Sequence, residues 1–309
     1  MKHWIQAARL RTLPLSLSGI IMGSFLAKWR LNGTENQWDW AIFALAIVVT
    51  LLYQILSNFA NDYGDAQKGT DAHRNENAEQ RAVASGKISL ENMKKAVVFT
   101  AILSALATVL LLYVSFIPDF MNEFYVFIGL GVACILAAIG YTVGKKPYGY
   151  LGLGDIMVFI FFGLVSVGGS YFLFTKSFSW DILLPASAIG MMSMAVLNLN
   201  NMRDINTDKL TGKKSLALRI GYRKAMLYEL FLLNLPLILI LAFLGLNGFF
   251  ETKNYYPFMV MILLFPMMAL RRRILQVKEP EKLDPFLKQV GIITLMMSIL
   301  LAFGLNWEG

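Results

Sequence analysis

Two groups of acids and amides stand at the ends of long apolar runs. The first, Asn61 to Asp71, reads NDYGDAQKGTD and follows a run that ends near Ala60. The second, Asn200 to Asp208, reads NNMRDINTD and follows a run that ends near Leu199. Acids are costly near lipid, so those placed there mark a functional site by default. If the first run continues as a helix, Asn58, Asn61, Asp62 and Asp65 share one face. In the second, Asn200, Asp204 and Asp208 repeat every four residues, with Asn201 beside the stripe. Carboxylate and amide oxygens are the hard ligands that Mg²⁺ takes, usually one or two carboxylates completed by substrate phosphate oxygens and water. Two such clusters facing each other predict divalent cations held against one diphosphate. Solvated loop acids or helix caps are the competing reading, which explains one cluster more easily than two.

The elements that must carry these clusters are membrane helices. Hydrophobic residues make up 57% of the 309 and charged residues 16%, where a soluble domain carries about 25% charged residues. Nine apolar segments approach the length of about 20 residues that a bilayer core needs. They are 12–28, 41–61, 95–117, 122–143, 152–174, 181–200, 225–248, 256–271 and 288–306, the eighth shortened and carrying Pro257 and Pro266. Trp4, Trp29, Trp38, Trp40, Trp180 and Trp307 all fall at or just outside segment ends, as an interfacial belt requires. Of the 28 Lys and Arg, all but Lys28, Arg30, Lys176 and Lys253 lie in the N-terminus and the even-numbered loops. That bias places those parts in the cytoplasm of a cell inner (plasma) membrane protein. The net charge of +8 is thus topological, and nucleic acid is not an expected partner.

The expectation is one all-α integral membrane domain over 1–309, with a retained first helix rather than a cleaved leader. The single Cys134 and two histidines exclude an intrachain disulfide, a haem site and a cysteine-built zinc site. Both clusters end segments on the same side, four helices apart, which favours a cytoplasm-facing pocket over the midplane sites of many carriers. Arg81, Arg203, Lys213, Lys145 and Lys146 lie near the clusters and could neutralise a diphosphate, or serve topology alone. Tyr63, Tyr141, Tyr148 and Tyr150 could face a cation, or belong to the belt. Asp155, in GLGD, reads as a pocket residue or as a charge at a helix start.

At these residues the chain resembles the UbiA family of intramembrane prenyltransferases, which carry an NDxxDxxxD-type motif after helix two and a DxxxD-type motif after helix six. The matching residues are Asn61-Asp62-x-x-Asp65 and Asp204-x-x-x-Asp208. The third aspartate of the general pattern would fall on Gly69, and Asp71 sits two residues later. That arrangement, with RLRTLPLSLSGIIMGS (9–24), YTVGKKPYGYLGLGD (141–155) and NNMRDINTDKLTGKKSLALRIG (200–221), resembles the menaquinone branch, whose acceptor is 1,4-dihydroxy-2-naphthoate. The resemblance implies nine helices around a central polar pocket, a Mg²⁺ requirement and lateral access for a long polyprenyl diphosphate. It implies Asn61, Asp62, Asp65, Asp71, Asn200, Asp204 and Asp208 as metal residues, and Arg81, Arg203 and Lys213 against the leaving diphosphate. Lys145, Lys146, Tyr141 and Asp155 would then meet substrate, and the product would be a demethylmenaquinone. Prenylation of 4-hydroxybenzoate or haem, and cation-coupled transport, are the rival readings.

Overall fold

The computed structural model describes residues 1–34, 37–69 and 81–307. Asp71 lies outside the described residues. The helices in chain order are α1 (Lys2–Ala8), α2 (Leu13–Leu31), α3 (Trp40–Gln67), α4 (Leu90–Phe116), α5 (Met121–Gly140), α6 (Gly154–Val158), α7 (Ser170–Thr175), α8 (Leu183–Arg203), α9 (Ile205–Thr211), α10 (Leu216–Ile220), α11 (Tyr222–Leu246), α12 (Leu264–Leu275) and α13 (Asp284–Asn306). A π-helical stretch, Phe159–Gly169, joins α6 to α7 into one continuous run. No strand occurs among the described residues.

Eight helical runs among the described residues are long and apolar enough to cross a membrane, and they fall on eight of the nine expected segments. The eighth expected segment is built differently. It begins as a 3₁₀ helix, Tyr256–Leu263, and passes directly into α12. Pro257 sits in its first turn and Pro266 near the start of α12. Proline lacks the N–H that an α-helical ladder uses beyond its first turn.

Capping fixes two of the long helices. The Asp39 side chain accepts from Ala41 N at the start of α3, and Ser89 accepts from Asn92 N at the start of α4. Each side chain answers a backbone donor that a helix start leaves unpaired. α8 is the central helix, buried along most of its length, and packs against α11, α13 and the π run. The outer faces of α4 and α5 instead present Phe99, Leu106, Val126 and Leu136 to the surroundings, as lipid-facing helices must.

Close approach at the centre depends on small residues. A Cβ on Gly23 of α2 would lie 2.1 Å from the Val167 carbonyl oxygen, and one on Gly163 would lie 2.7 Å from that of Ala186. In lipid, packing of this kind replaces the hydrophobic drive that water would supply. The acid-bearing ends of α3 and α8 lie at one end of the bundle. Every tryptophan except Trp4 lies at the opposite end, where Trp38 stacks on Phe174 and donates to Ser24 O at 2.8 Å.

Cysteines placed singly at Gly69 and Gly212, on a Cys134→Ser background, should therefore react with an impermeant maleimide from the same side of the membrane. A cysteine at Lys253 should react from the other. Labelling of the first two from opposite sides would break this arrangement.

Candidate active site

The first motif is helical to its end, because α3 runs on through Gln67. Its residues nevertheless divide between two surroundings. Asn61 and Asp65 line a cavity of about 410 Å³. Asp62 turns the other way and accepts from the backbone N–H groups of Ala82 (3.1 Å) and Val83 (3.4 Å). Those bonds anchor the turn over residues 81–85. Arg81 then donates to Asn61 O at 2.7 Å and forms an ion pair with Asp65. The Tyr150 hydroxyl donates to Asp65 Oδ1 at 2.6 Å.

Gly64 explains how the loop after α5 comes so near. A Cβ there would stand 2.8 Å from the Thr142 carbonyl. With only hydrogen present, Thr142 Oγ1 reaches Ala60 O (3.0 Å) and Asn61 Oδ1 (3.1 Å). One turn earlier, Asn58 donates to Ala8 O at 2.8 Å and to Thr12 Oγ1 at 3.2 Å, and Gln54 donates to Thr12 Oγ1 at 3.1 Å. These bonds grip the joint between α1 and α2, where Arg9 adopts a left-handed backbone (φ 49°). Such strain in a non-glycine residue collects at functional sites, and the Arg9 side chain lines the same cavity.

The second motif breaks its helix. α8 ends at Arg203, Asp204 occupies the junction, and α9 follows. Asn200 and Asp204 line the cavity with Lys213. Asp208 sits just behind them, 3.4 Å from Lys213 Nζ, and accepts from Ser215 Oγ at 2.8 Å. Burial raises the Asp208 pKa, and the Lys213 charge and the Ser215 hydrogen bond offset this only in part. Burial acts on Lys213 in the opposite sense. Asp208, Tyr141, Asp204 and Asp65 outweigh it and hold the ammonium above its usual pKa, so it stays charged. Lys68 lies over the Tyr150 ring, 4.5 Å from its centroid, and donates to Thr142 O at 2.6 Å.

Away from the acids the cavity is largely apolar, walled by Leu111, Leu112, Phe127, Phe162 and Leu173, with Tyr53, Thr108, Ser166 and Ser193 among them. Of the residues expected from sequence, Asn61, Asp65, Arg81, Tyr141, Asn200, Asp204 and Lys213 line it together. Lys145 and Lys146 do not; both are exposed on the loop after α5. Asp155 is buried off the wall and accepts from Tyr228 at 3.4 Å. Arg203 is also off the wall, held by Asp204, Asn200 and Asp284. Sequence reasoning passed over Arg9, Gln54, Thr142 and Asp284. Of these only Arg9 and Thr142 fall inside quoted motifs.

The oxygens on the wall suit a hard cation. Among the described residues no group of His, Cys, Asp or Glu side chains closes a metal site by itself. Asn61, Asp65, Asn200 and Asp204 instead offer carboxylate and carboxamide oxygens beside Arg81 and Lys213. That donor set fits a cation whose shell is completed by substrate phosphate and water.

The UbiA prenyltransferase family model matches residues 20–293. The chain is 39% identical to the 1,4-dihydroxy-2-naphthoate octaprenyltransferase of Haemophilus influenzae, over 99% of this chain and 96% of that one. It is 36% identical to the enzyme of the same name from Escherichia coli, over 98% of this chain and 94% of that one. Among solved structures it is similar to a UbiA homolog from Archaeoglobus fulgidus bound to DMAPP and Mg²⁺. That likeness has a TM-score of 0.64 and 13% identity, and covers 97% of this chain and 99% of the other.

The two aspartates of the first motif should separate by experiment. Asp62→Ala removes two hydrogen bonds to a carboxylate, each of a kind worth about 1.5–3 kcal/mol, so the thermal midpoint in detergent should fall. Its half-saturating Mg²⁺ concentration should stay that of wild type. A large rise in that concentration would put Asp62 among the ligands.

Proposed function

The chain belongs to the UbiA prenyltransferase family, and from that premise we propose that it transfers a polyprenyl group from polyprenyl diphosphate to 1,4-dihydroxy-2-naphthoate. The diphosphate leaves with the electrons of the allylic C–O bond and the acceptor's carboxylate leaves as CO₂. The product is thus a demethylmenaquinone in its reduced, quinol form, an intermediate of menaquinone biosynthesis. The observation that carries this reading is the meeting of Asn61 and Asp65 with Asn200 and Asp204 in the lining of one largely apolar cavity, with Arg81 paired to Asp65 and Lys213 in the same lining. The acceptor is supported by the near-full-length likeness to two relatives named for it.

Asn61, Asp65, Asn200 and Asp204 would hold Mg²⁺, with Asp208 behind them tuning Lys213. Bound there, Mg²⁺ supplies Lewis-acid charge against the departing diphosphate. Arg81 and Lys213 add charge-assisted hydrogen bonds to the same oxygens. The allylic carbon left behind is cationic, and the Tyr141 ring on the wall offers it a π face. The electron-rich naphthoate ring is the nucleophile, so no protein nucleophile is needed. Arg9 and Gln54, both on the wall, are better placed than Lys145 or Lys146 to meet the acceptor's polar groups. The apolar walls beyond would take the first isoprene units.

The same reading puts the acid end of the bundle in the cytoplasm of a plasma-membrane protein, by the distribution of Lys and Arg. It also counts residues 256–275 as a ninth pass. Eight residues at 3₁₀ rise and twelve at α-helical rise extend about 34 Å, against a hydrocarbon core of about 30 Å.

Asp65→Asn and Asp204→Asn should each lower turnover by about 10²-fold or more, the scale of losing one preorganised charge contact, with the protein still folded in detergent. With one prenyl diphosphate and Mg²⁺, naphthoate in equal competition with 4-hydroxybenzoate should supply nearly all the product seen by mass spectrometry. A buried site that hydrogen-bonds hydroxyl groups discriminates sharply against analogues lacking them. Preferential prenylation of 4-hydroxybenzoate would refute the acceptor, and cation-driven uptake without covalent product would point to a carrier.

A further inference from the structure

Asp284 opens α13, in a part of the chain that carries no motif. Its two oxygens face different partners. Oδ1 receives Nη1 of Arg203, and Oδ2 lies 3.4 Å from Nη1 of Arg11, which precedes α2. The Arg203 side chain is only 3% exposed. Its Nε and Nη2 hold the two oxygens of Asp204, each at 2.7 Å, and Nη2 also donates to Asn200 Oδ1 at 2.8 Å. Asn200 and Asp204 line the cavity; Arg203 and Asp284 do not. A continuous path of charge therefore runs from a carboxylate outside the cavity, through a buried guanidinium, to two oxygen donors on its wall.

We propose that Asp284 is a positioning residue for the cation ligands Asn200 and Asp204, acting through Arg203. The guanidinium is a rigid planar fork, so anchoring Nη1 fixes the plane in which Nε and Nη2 point. Those nitrogens in turn fix the Asp204 carboxylate and the Asn200 amide. Neutralising Asp284 leaves Nη1 with a weaker acceptor in a buried setting, and an unsatisfied buried donor is costly. The fork turns to recover a partner and carries Asp204 with it. Asp284 also holds Arg11, so the second cluster is braced against the start of α2 as well as against α13. This inference rests on the metal–diphosphate reading above and adds a residue that touches neither metal nor substrate.

The test is Mn²⁺ binding, followed by the electron paramagnetic resonance of the free ion. Purified protein is titrated in the presence of geranyl thiolodiphosphate, an unreactive donor analogue, with kcat measured alongside. Outer-shell partners of a ligating carboxylate govern about 10- to 100-fold in metal affinity. Asp284→Asn should therefore weaken Mn²⁺ binding at least about tenfold and lower kcat, with the KM for the acceptor unchanged and the thermal midpoint near wild type. Asp284→Glu should recover most of the loss. Arg203→Lys keeps the charge but loses the fork, and should weaken binding in the same way. Wild-type Mn²⁺ affinity in Asp284→Asn or in Arg203→Lys overturns the proposal. So does a loss in Asp284→Asn matched by a fall in thermal midpoint and not recovered in Asp284→Glu. Wild-type protein that binds no Mn²⁺ with the analogue overturns the metal reading and this proposal together. Binding with the expected variant pattern, but without naphthoate product, supports the positioning role and removes only the acceptor.

Discussion

Charge held close to lipid must be paired, and the acid end of this bundle is organised by that requirement. Asp65 meets Arg81 and the Tyr150 hydroxyl. Asp204 meets Arg203, which Asp284 holds from behind. Asp208 meets Lys213 and Ser215. A buried pair adds little net stability, since desolvation of both ions opposes their attraction. Removing one partner is another matter, because it leaves a charge buried alone, at about 3–5 kcal/mol. The pairs therefore act chiefly as placement. They hold loops and helix ends against each other at the one place where polar groups must converge.

The apolar body answers to that placement. α2, the π run and α8 approach through Gly19, Gly23, Gly163 and Gly190, and each contact would be lost to a single Cβ. The cavity lies beside this seam, bounded by α2, α3, α4, α5, the π run, α8 and the start of α13. The π turn is wider than an α turn and recurs at functional positions. Here it presents Phe161, Phe162, Val165 and Ser166 to the cavity. The irregular helix thus borders the space in which an isoprenoid would lie, while its other side packs on α2 and α8.

Hydropathy made most of this architecture legible, because a span needs about 20 apolar residues whatever its neighbours. The segment at 256–275 was harder to read, since its prolines change the kind of helix without changing its hydrophobicity. In the site, spacing revealed a face but not its partner. Asn58, Asn61, Asp62 and Asp65 do lie along one side of α3, yet Asp62 is turned from the cavity by the backbone of Ala82 and Val83, 20 residues away. Arg203 stands next to Asp204 in sequence and suggested a diphosphate ligand. Its direction is set instead by Asp284, 81 residues on. Lys145 and Lys146 sit in a motif, but an exposed loop carries them off the wall, and Lys213 takes the inner position. Long-range partners decide orientation, and no local pattern encodes them.

Near-balance of charge also bears on how the proposed site could be buried and still take a charged substrate. The wall carries carboxylates and cations in close alternation, so its field is strong at short range and small at a distance. A bare diphosphate would bring excess negative charge into this low-dielectric end, and a bare divalent cation would bring excess positive charge. Either alone must bear its own desolvation. A diphosphate with its divalent cations is itself close to neutral, and its two kinds of charge are separated by about the length of one ion pair. On the proposed reading such cargo would meet Asp65 and Asp204 with its metal and Arg81 and Lys213 with its phosphate oxygens, leaving no net buried charge, while Asp208 stays behind Lys213. Arg203 is the exception, because Asp284 keeps it neutralised while Asp204 is shared. On the same reading the second carboxylate behind the arginine would serve the chemistry as well as the fold.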